Sequence, residues 1–209
     1  MTIPTGHIAY FDCETQPAGI DVILETCQKS GFKVQNSNDL GNGDKDGEQE
    51  VRLTYEHWHP RLSVYSGDEY GQVFPFLDIS LNGSLAAVDF DESRAHRQWM
   101  DTVFNLVCQL SLLLGPAYAP LYHTSGAYRE VPEGRPIAED VEAPPQLGVY
   151  APDVLDGFGG VAGLFEDTPW YAAELTGGRT VVIESASPWS DAGWEPPTDA
   201  DYINHVITH

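Results

Sequence analysis

The amino-acid sequence predicts an α+β fold, a mostly antiparallel sheet with two main helices packed on one face. Three observations lead there. Short segments with alternating apolar residues recur along the chain. One long segment carries an apolar stripe at 3.6-residue spacing. The order of elements (strand, helix, several strands, helix, strand, then a smaller tail) packs most simply with helices laid on one sheet face.

His7 to Cys13 alternates as a first strand. Pro17 stands at a first helical position, and Ala18 to Ser30 spaces Ile20, Ile23, Leu24 and Cys27 along one helical face. Gly31 fits the residue that closes such a helix. Phe32 to Gln35 completes a β-α-β start. Residues 36 to 50 are polar and glycine-rich, a loop. Strands follow at Val51 to Tyr55, Leu62 to Tyr65, Val73 to Leu81 and Leu85 to Phe90, the last two joined by the hairpin dipeptide Asn82-Gly83. Glu92 to Leu114 is the clearest helix, with Trp99, Val103, Leu106, Val107, Leu110 and Leu114 on one stripe. Asp91 or Ser93 can cap its start, and Gly115-Pro116 stops it. Ala117 to His123 returns to strand.

Residues 130 to 145 are rich in Pro, Glu and Gly and read as a connection. A second unit then holds a helical turn at Pro152 to Gly157, a helix Trp170 to Leu175, a Gly177-Gly178 turn, a strand Thr180 to Glu184 and a final helix over 201 to 209. We read residues 1–209 as a single α+β domain. It allows a subdivision into a β-α-β-rich core at 1–129 and a smaller C-terminal unit at 146–209, linked by 130–145.

Charge bounds the habitat and the partners. Thirty-two acidic residues against ten basic ones give a net charge of -22. Such a charge repels itself in dilute buffer. Molar salt, with a screening length of about 3 Å, relieves the repulsion. The acids are spread along the chain, which fits a halophilic cytoplasm. A surface this anionic disfavours nucleic acid, whose binding needs Lys and Arg on the phosphates. No apolar run approaches the ~20 residues of a membrane helix, so no membrane partner is expected. The N-terminal sequence lacks the charged start and apolar segment of a signal peptide. Cys13, Cys27 and Cys108 lack CxxC spacing and fit reduced, buried thiols of a cytoplasmic protein.

Three groups of residues are candidates for a site. Asp12 and Glu14 flank Cys13 at the end of the first strand, and His96 precedes Asp101 by five residues. His57 and His59 alternate on a strand, so two imidazoles can share a metal. Trp170, Trp189 and Trp194 lie in the aromatic last third, the last two among prolines and acids. Aromatics ringed by polar residues can anchor a protein partner or pin the tail to the sheet. No GxSxG, Walker or GxGxxG motif is present, and Gly157-Phe158-Gly159-Gly160 lacks the lysine of a phosphate cradle.

Two resemblances carry these residues further. The string Asp12-Cys13-Glu14-Thr15 resembles the first motif of the DEDD exonuclease superfamily, and His96 with Asp101 resembles its last. That likeness implies Mg²⁺ held by Asp12, Glu14 and Asp101 with His96 as general base, on a 3'-5' exonuclease. The chain departs from the pattern: no middle motif supplies a second aspartate, and a helix follows where the superfamily has a strand. The C-terminal order from Thr168-Pro169-Trp170 through Gly177-Gly178 to the last segment is similar to that of some immunity proteins of polymorphic toxin systems. This likeness implies an α+β inhibitor that works by surface complementarity, without cofactor or catalysis.

The leading expectation is therefore a non-catalytic binding or inhibitory protein, more an immunity-like module than an enzyme, whose partner is another protein. The exonuclease is one rival, and an accessory structural subunit of a virus or larger complex is the other. The charge reading makes a direct prediction. Thermal stability rises steeply between salt-poor buffer and molar KCl, measured as Tm by calorimetry, and a flat response refutes it.

Overall fold

The computed structural model describes residues 6–11, 20–35, 48–56, 58–65, 73–78, 92–123, 137–141, 145–165 and 168–206. In chain order these form β1 (Gly6–Phe11), α1 (Ile20–Lys29), β2 (Lys33–Val34), β3 (Glu48–Thr54), β4 (Arg61–Tyr65), β5 (Val73–Asp78), α2 (Glu92–Leu114) and β6 (Tyr118–His123). There follow α3 (Ile137–Asp140), β7 (Leu147–Tyr150), α4 (Pro152–Gly157), α5 (Val161–Leu164), β8 (Tyr171–Leu175), β9 (Thr180–Ile183) and β10 (Ile203–Val206). The strands form one ten-stranded sheet in the order β10-β8-β9-β7-β6-β1-β5-β4-β3-β2. Neighbours run antiparallel throughout. The fold is α+β, with its two main helices on one face.

Alternation sorts the strand residues into two layers. Ile8, Tyr10, Leu121, Val149, Tyr171, Ala173 and Val181 join α1 and α2 in the larger core. Ala9, Tyr118, Tyr150, Ala172 and Val182 point the other way, under α3, α4 and α5. β7 and β9 are buried at every position, as strands covered on both sides must be.

α1 ends in two backbone bonds: Gly31 N–H donates to the Gln28 carbonyl and Phe32 N–H to the Cys27 carbonyl, each at 3.0 Å. This closure needs a left-handed residue, and Gly31 supplies it at φ 97°. α2 covers the expected span. Trp99, Val103, Leu106, Val107, Leu110 and Leu114 are all fully buried. Trp99 lies flat on Trp58, ring centroids 4.8 Å apart and planes 8° from parallel. That stack fastens the helix to the turn between β3 and β4.

Several expectations are corrected. The β-α-β start does not make neighbouring strands, since β5, β4 and β3 separate β1 from β2. The β2-to-β5 ladder pairs each strand with the next in sequence, antiparallel throughout, and β1 is left to pair with β5 and β6. The segment read as helix from Trp170 is strand β8. A helix so short carries its nucleation cost with few bonds in return. Gly177 and Gly178, both at positive φ, instead fold the chain straight back into β9. The final segment is likewise a strand, β10, paired to β8. The connection 130–145 contains α3, whose Ile137 is buried. The strand Leu85 to Phe90 and its Asn82-Gly83 turn lie outside the described residues.

α2 has no basic residue in its last turn. The guanidinium of Arg179 fills that role from the far end of the chain. Its Nη2 donates to the Gly115 carbonyl at 2.7 Å and its Nε to the Pro116 carbonyl at 2.8 Å. Charge-assisted bonds to carbonyls at a helix C-terminus are among the stronger kind. Arg179→Gln is expected to lower unfolding free energy by about 1.5–3 kcal/mol, measured by urea titration in molar KCl. A change within error would show that the cap contributes nothing.

Candidate binding groove

The polar stripe of α2, opposite its buried one, forms the floor of an open concavity. Gln98, Asp101, Asn105 and Gln109 follow one another along it. One wall is the C-terminal end of α1, at Thr26, Lys29 and Ser30. The other is the tail at Gly193, Trp194 and Glu195. Two cavities of about 690 Å³ each meet there, sharing Tyr55, Asp101 and Thr102.

The tail is latched to this helix. Trp194 Nε1 donates to Asp101 Oδ1 at 3.3 Å. The Tyr202 hydroxyl donates to Asn105 Oδ1, and Asn105 Nδ2 in turn donates to the Asp101 carbonyl at 2.7 Å. The Tyr171 hydroxyl donates to the Pro197 carbonyl at 2.8 Å. Burial pushes both phenols well above the ordinary tyrosine range, and for Tyr202 the nearby Cys108 and Asp101 add to it. Both therefore remain protonated donors at any physiological pH. They act as fasteners, not as acid-base groups.

Charge along the groove is mixed. Lys29 at one end pairs with Glu25 on the exposed face of α1 at 2.9 Å. Asp101 sits in the middle, and Arg97 lines the other end. The walls offer hydrogen-bonding side chains together with apolar surface, to which Leu112 and Leu113 contribute on the α1 side. Such a surface suits polar contacts to a chain laid along it.

The structure disperses the residues singled out by sequence. Asp12, Glu14 and His57 lie outside the described residues. His96 and Asp101 share α2 but not a face: His96 is buried, whereas Asp101 is exposed in the groove. His59 is exposed beyond the β3–β4 turn, on the sheet face away from α2. Among the described residues, no three His, Cys, Asp or Glu side chains gather where one metal ion would touch them all.

The tryptophan reading needs correction. Trp189 and Trp194 are 0% and 3% exposed, so neither is a surface anchor. They pack 5.1 Å apart, and Trp194 lies 5.2 Å from Phe104 of α2. Trp170, half-buried, lies 6.1 Å from Trp194. The cluster pins the irregular tail to the helix because apolar area this large is worth more buried than displayed. Its placement is what builds the groove's second wall. Val22 is the one large apolar side chain exposed among the described residues.

Sequence reasoning missed Asn105, Gln109 and Tyr202. The first two were visible as the polar complement of the α2 stripe. Tyr202 carried no local signal, because its role depends on a strand pairing 97 residues from Asn105. Gly157-Phe158-Gly159-Gly160 joins α4 to α5 and serves as their turn.

No family model matches this chain, and neither a characterised protein nor a solved structure does.

Cys27 and Cys108 are both buried, and burial raises their thiols, Cys27 to about 12 and Cys108 further. Thiolate is the reactive form. Neither should therefore be alkylated by iodoacetamide at pH 8 in the folded protein, while both react in denaturant. Site-resolved mass spectrometry checks this, and native labelling of either would contradict the packing.

Proposed function

We propose that this chain is a non-catalytic protein-binding or inhibitory module of a high-salt cytoplasm, and that the groove across α2 receives an extended segment of another protein. The observation that carries the reading is the groove itself. It is open and of mixed polarity, floored by a helix whose other face is buried in the core and walled by a tail latched to that helix. Ligand sites for small molecules are mostly apolar and enclosed, whereas this one is open and offers side-chain amides and four charged groups, Lys29, Asp101, Arg97 and Glu195. The spread of acidic residues supports the salt habitat, since a charge of -22 is tolerable where screening is short-ranged. No cofactor enters this reading.

The immunity-like character now rests on the groove. The C-terminal layout that prompted the comparison is the ladder of β8, β9 and β10 instead of a helix, a strand and a helix. The domain size and the α+β class remain compatible with inhibition by surface complementarity.

Photocrosslinking tests the reading. A photoreactive residue replaces Gln98, Gln109 or, as control on the opposite layer, Asp153 of α4. Cells grown in molar salt are irradiated and adducts identified by mass spectrometry. One protein species should attach at Gln98 and Gln109 and not at Asp153. Equal labelling at all three positions, or none in the groove, overturns the proposal.

A further inference from the structure

The two cavities of the α2 groove meet at Tyr55, Asp101 and Thr102. Asp101 is anchored there on one oxygen. Its Oδ1 accepts the indole N–H of Trp194, a residue 3% exposed, while Asp101 itself stays exposed. A carboxylate has about four lone-pair sites, so most of its accepting capacity faces the groove. Among the described residues Asp101 forms no ion pair. Arg97 lines the same cavity one turn earlier and does not reach it. Helical side chains lean toward the N-terminus, so a cation four residues before an acid leans away from it. Lys29, at the far end, is taken up by Glu25 at 2.9 Å.

Thr102 is an independent sign. A helical threonine can return its hydroxyl to the carbonyl four residues back, as Thr26 does to Val22 at 2.9 Å. Among the described residues the Thr102 hydroxyl has no hydrogen-bond partner. Thr102 is only 7% exposed, and it opens into both cavities. A polar group so buried finds its partner in whatever occupies the groove. Tyr55 completes the site. Its half-buried ring is wedged against Phe32, Trp58 and Trp99 at centroid distances of 5.7, 6.2 and 6.0 Å. Gly31 lines the cavity beside it, where a Cβ would stand 3.4 Å from that ring, so the bare glycine leaves the ring uncovered.

We propose that an arginine of the bound protein segment enters here, its guanidinium laid on Tyr55 and hydrogen-bonded to Asp101 and Thr102. The inference rests on the groove receiving a protein chain, and it names a residue which that chain must carry. A guanidinium holds its N–H donors in one plane, enough for the Asp101 carboxylate and the Thr102 hydroxyl together. Its face stacks on an aromatic ring. An ammonium is a compact, strongly hydrated charge with no face to stack. In molar salt, with screening over about 3 Å, a bare charge gains little at a distance and contact geometry decides. Charge complementarity points the same way. A chain of net charge -22 favours a cationic visitor, and Asp101 is the acid where the two cavities join.

The test selects random linear peptides on the full chain in molar KCl and keeps those that crosslink to a photoreactive residue at Gln98 or Gln109. These peptides should share an arginine. Synthetic copies are then measured by fluorescence anisotropy. Lysine in place of that arginine should raise Kd about fivefold or more, and citrulline, neutral but of the same shape, about tenfold or more. Asp101→Asn keeps an acceptor for the Trp194 indole. It should bind the arginine peptide about tenfold more weakly and no longer prefer it to the citrulline peptide. Tyr55→Phe, which keeps the ring, should bind as the wild type does, whereas Tyr55→Leu should lose severalfold. Should Asp101→Asn fail to fold, Thr102→Val serves in its place with a smaller loss. Groove-crosslinked peptides without a common arginine, or undiminished affinity in the folded variants, overturn this inference and leave the groove reading standing. If no selected peptide crosslinks in the groove, both fall.

Discussion

The burial of α2 is the constraint on which the rest of this molecule depends. Six side chains of one stripe leave water completely, each worth about 1.5–3 kcal/mol of transfer free energy. They can do so only if both halves of the sheet lie beneath the helix. The half containing β3 and β4 is drawn in by the flat contact of Trp58 on Trp99. The other half is drawn in by Phe104, which meets Tyr171 of β8 and Trp194 of the tail. A helix buried on one side must be wet on the other, and its wet side became the floor of a groove because α1 and the tail rise on either hand. The core and the groove are thus two faces of one element.

What could be read from the chain follows from how local each signal is. α2 was legible to its last residue because its stripe is long and Gly115 ends it without ambiguity. α1 was legible through Gly31, and its described span runs from Ile20 to Lys29. β8 was not, since Tyr171 to Leu175 is too short to declare a period and is decided by its partners β9 and β10. Trp189 and Trp194 were ambiguous for a different reason. Aromatic residues among prolines and carboxylates look alike whether they face a partner or pin a tail, and the position of Phe104 decides between those outcomes. The groove was illegible as a unit, for its walls come from three distant parts of the sequence. Equally hidden was the pairing of Arg52 with Arg61, which are unremarkable until a hairpin register sets them opposite each other.

Two concave surfaces lie on opposite sides of the sheet, the groove over α2 on one and a smaller pocket lined by Arg52 and Arg61 on the other. Trp58 connects them physically: it belongs to the turn that sets the register of Arg52 opposite Arg61, and its ring stacks on Trp99 of the buried face of α2. A change in that turn would be felt at both places through one hairpin.

The central position of β1 carries a consequence for how this protein is made. Gly6 is paired with His123, and Phe11 with Val73. Among the described strands β1 therefore waits longest between its own synthesis and that of its second neighbour: at about 5–20 residues per second, roughly 6–20 seconds pass before β6 is made. Until β6 is made, Ile8, Ala9 and Tyr10 can pair on one side only, with β5. Pairings of such long range also slow the folding search itself. A nascent chain with this layout depends on whatever shelters β1 until then, and its crowd of carboxylates, by keeping neighbouring chains apart, is one shelter it brings with it.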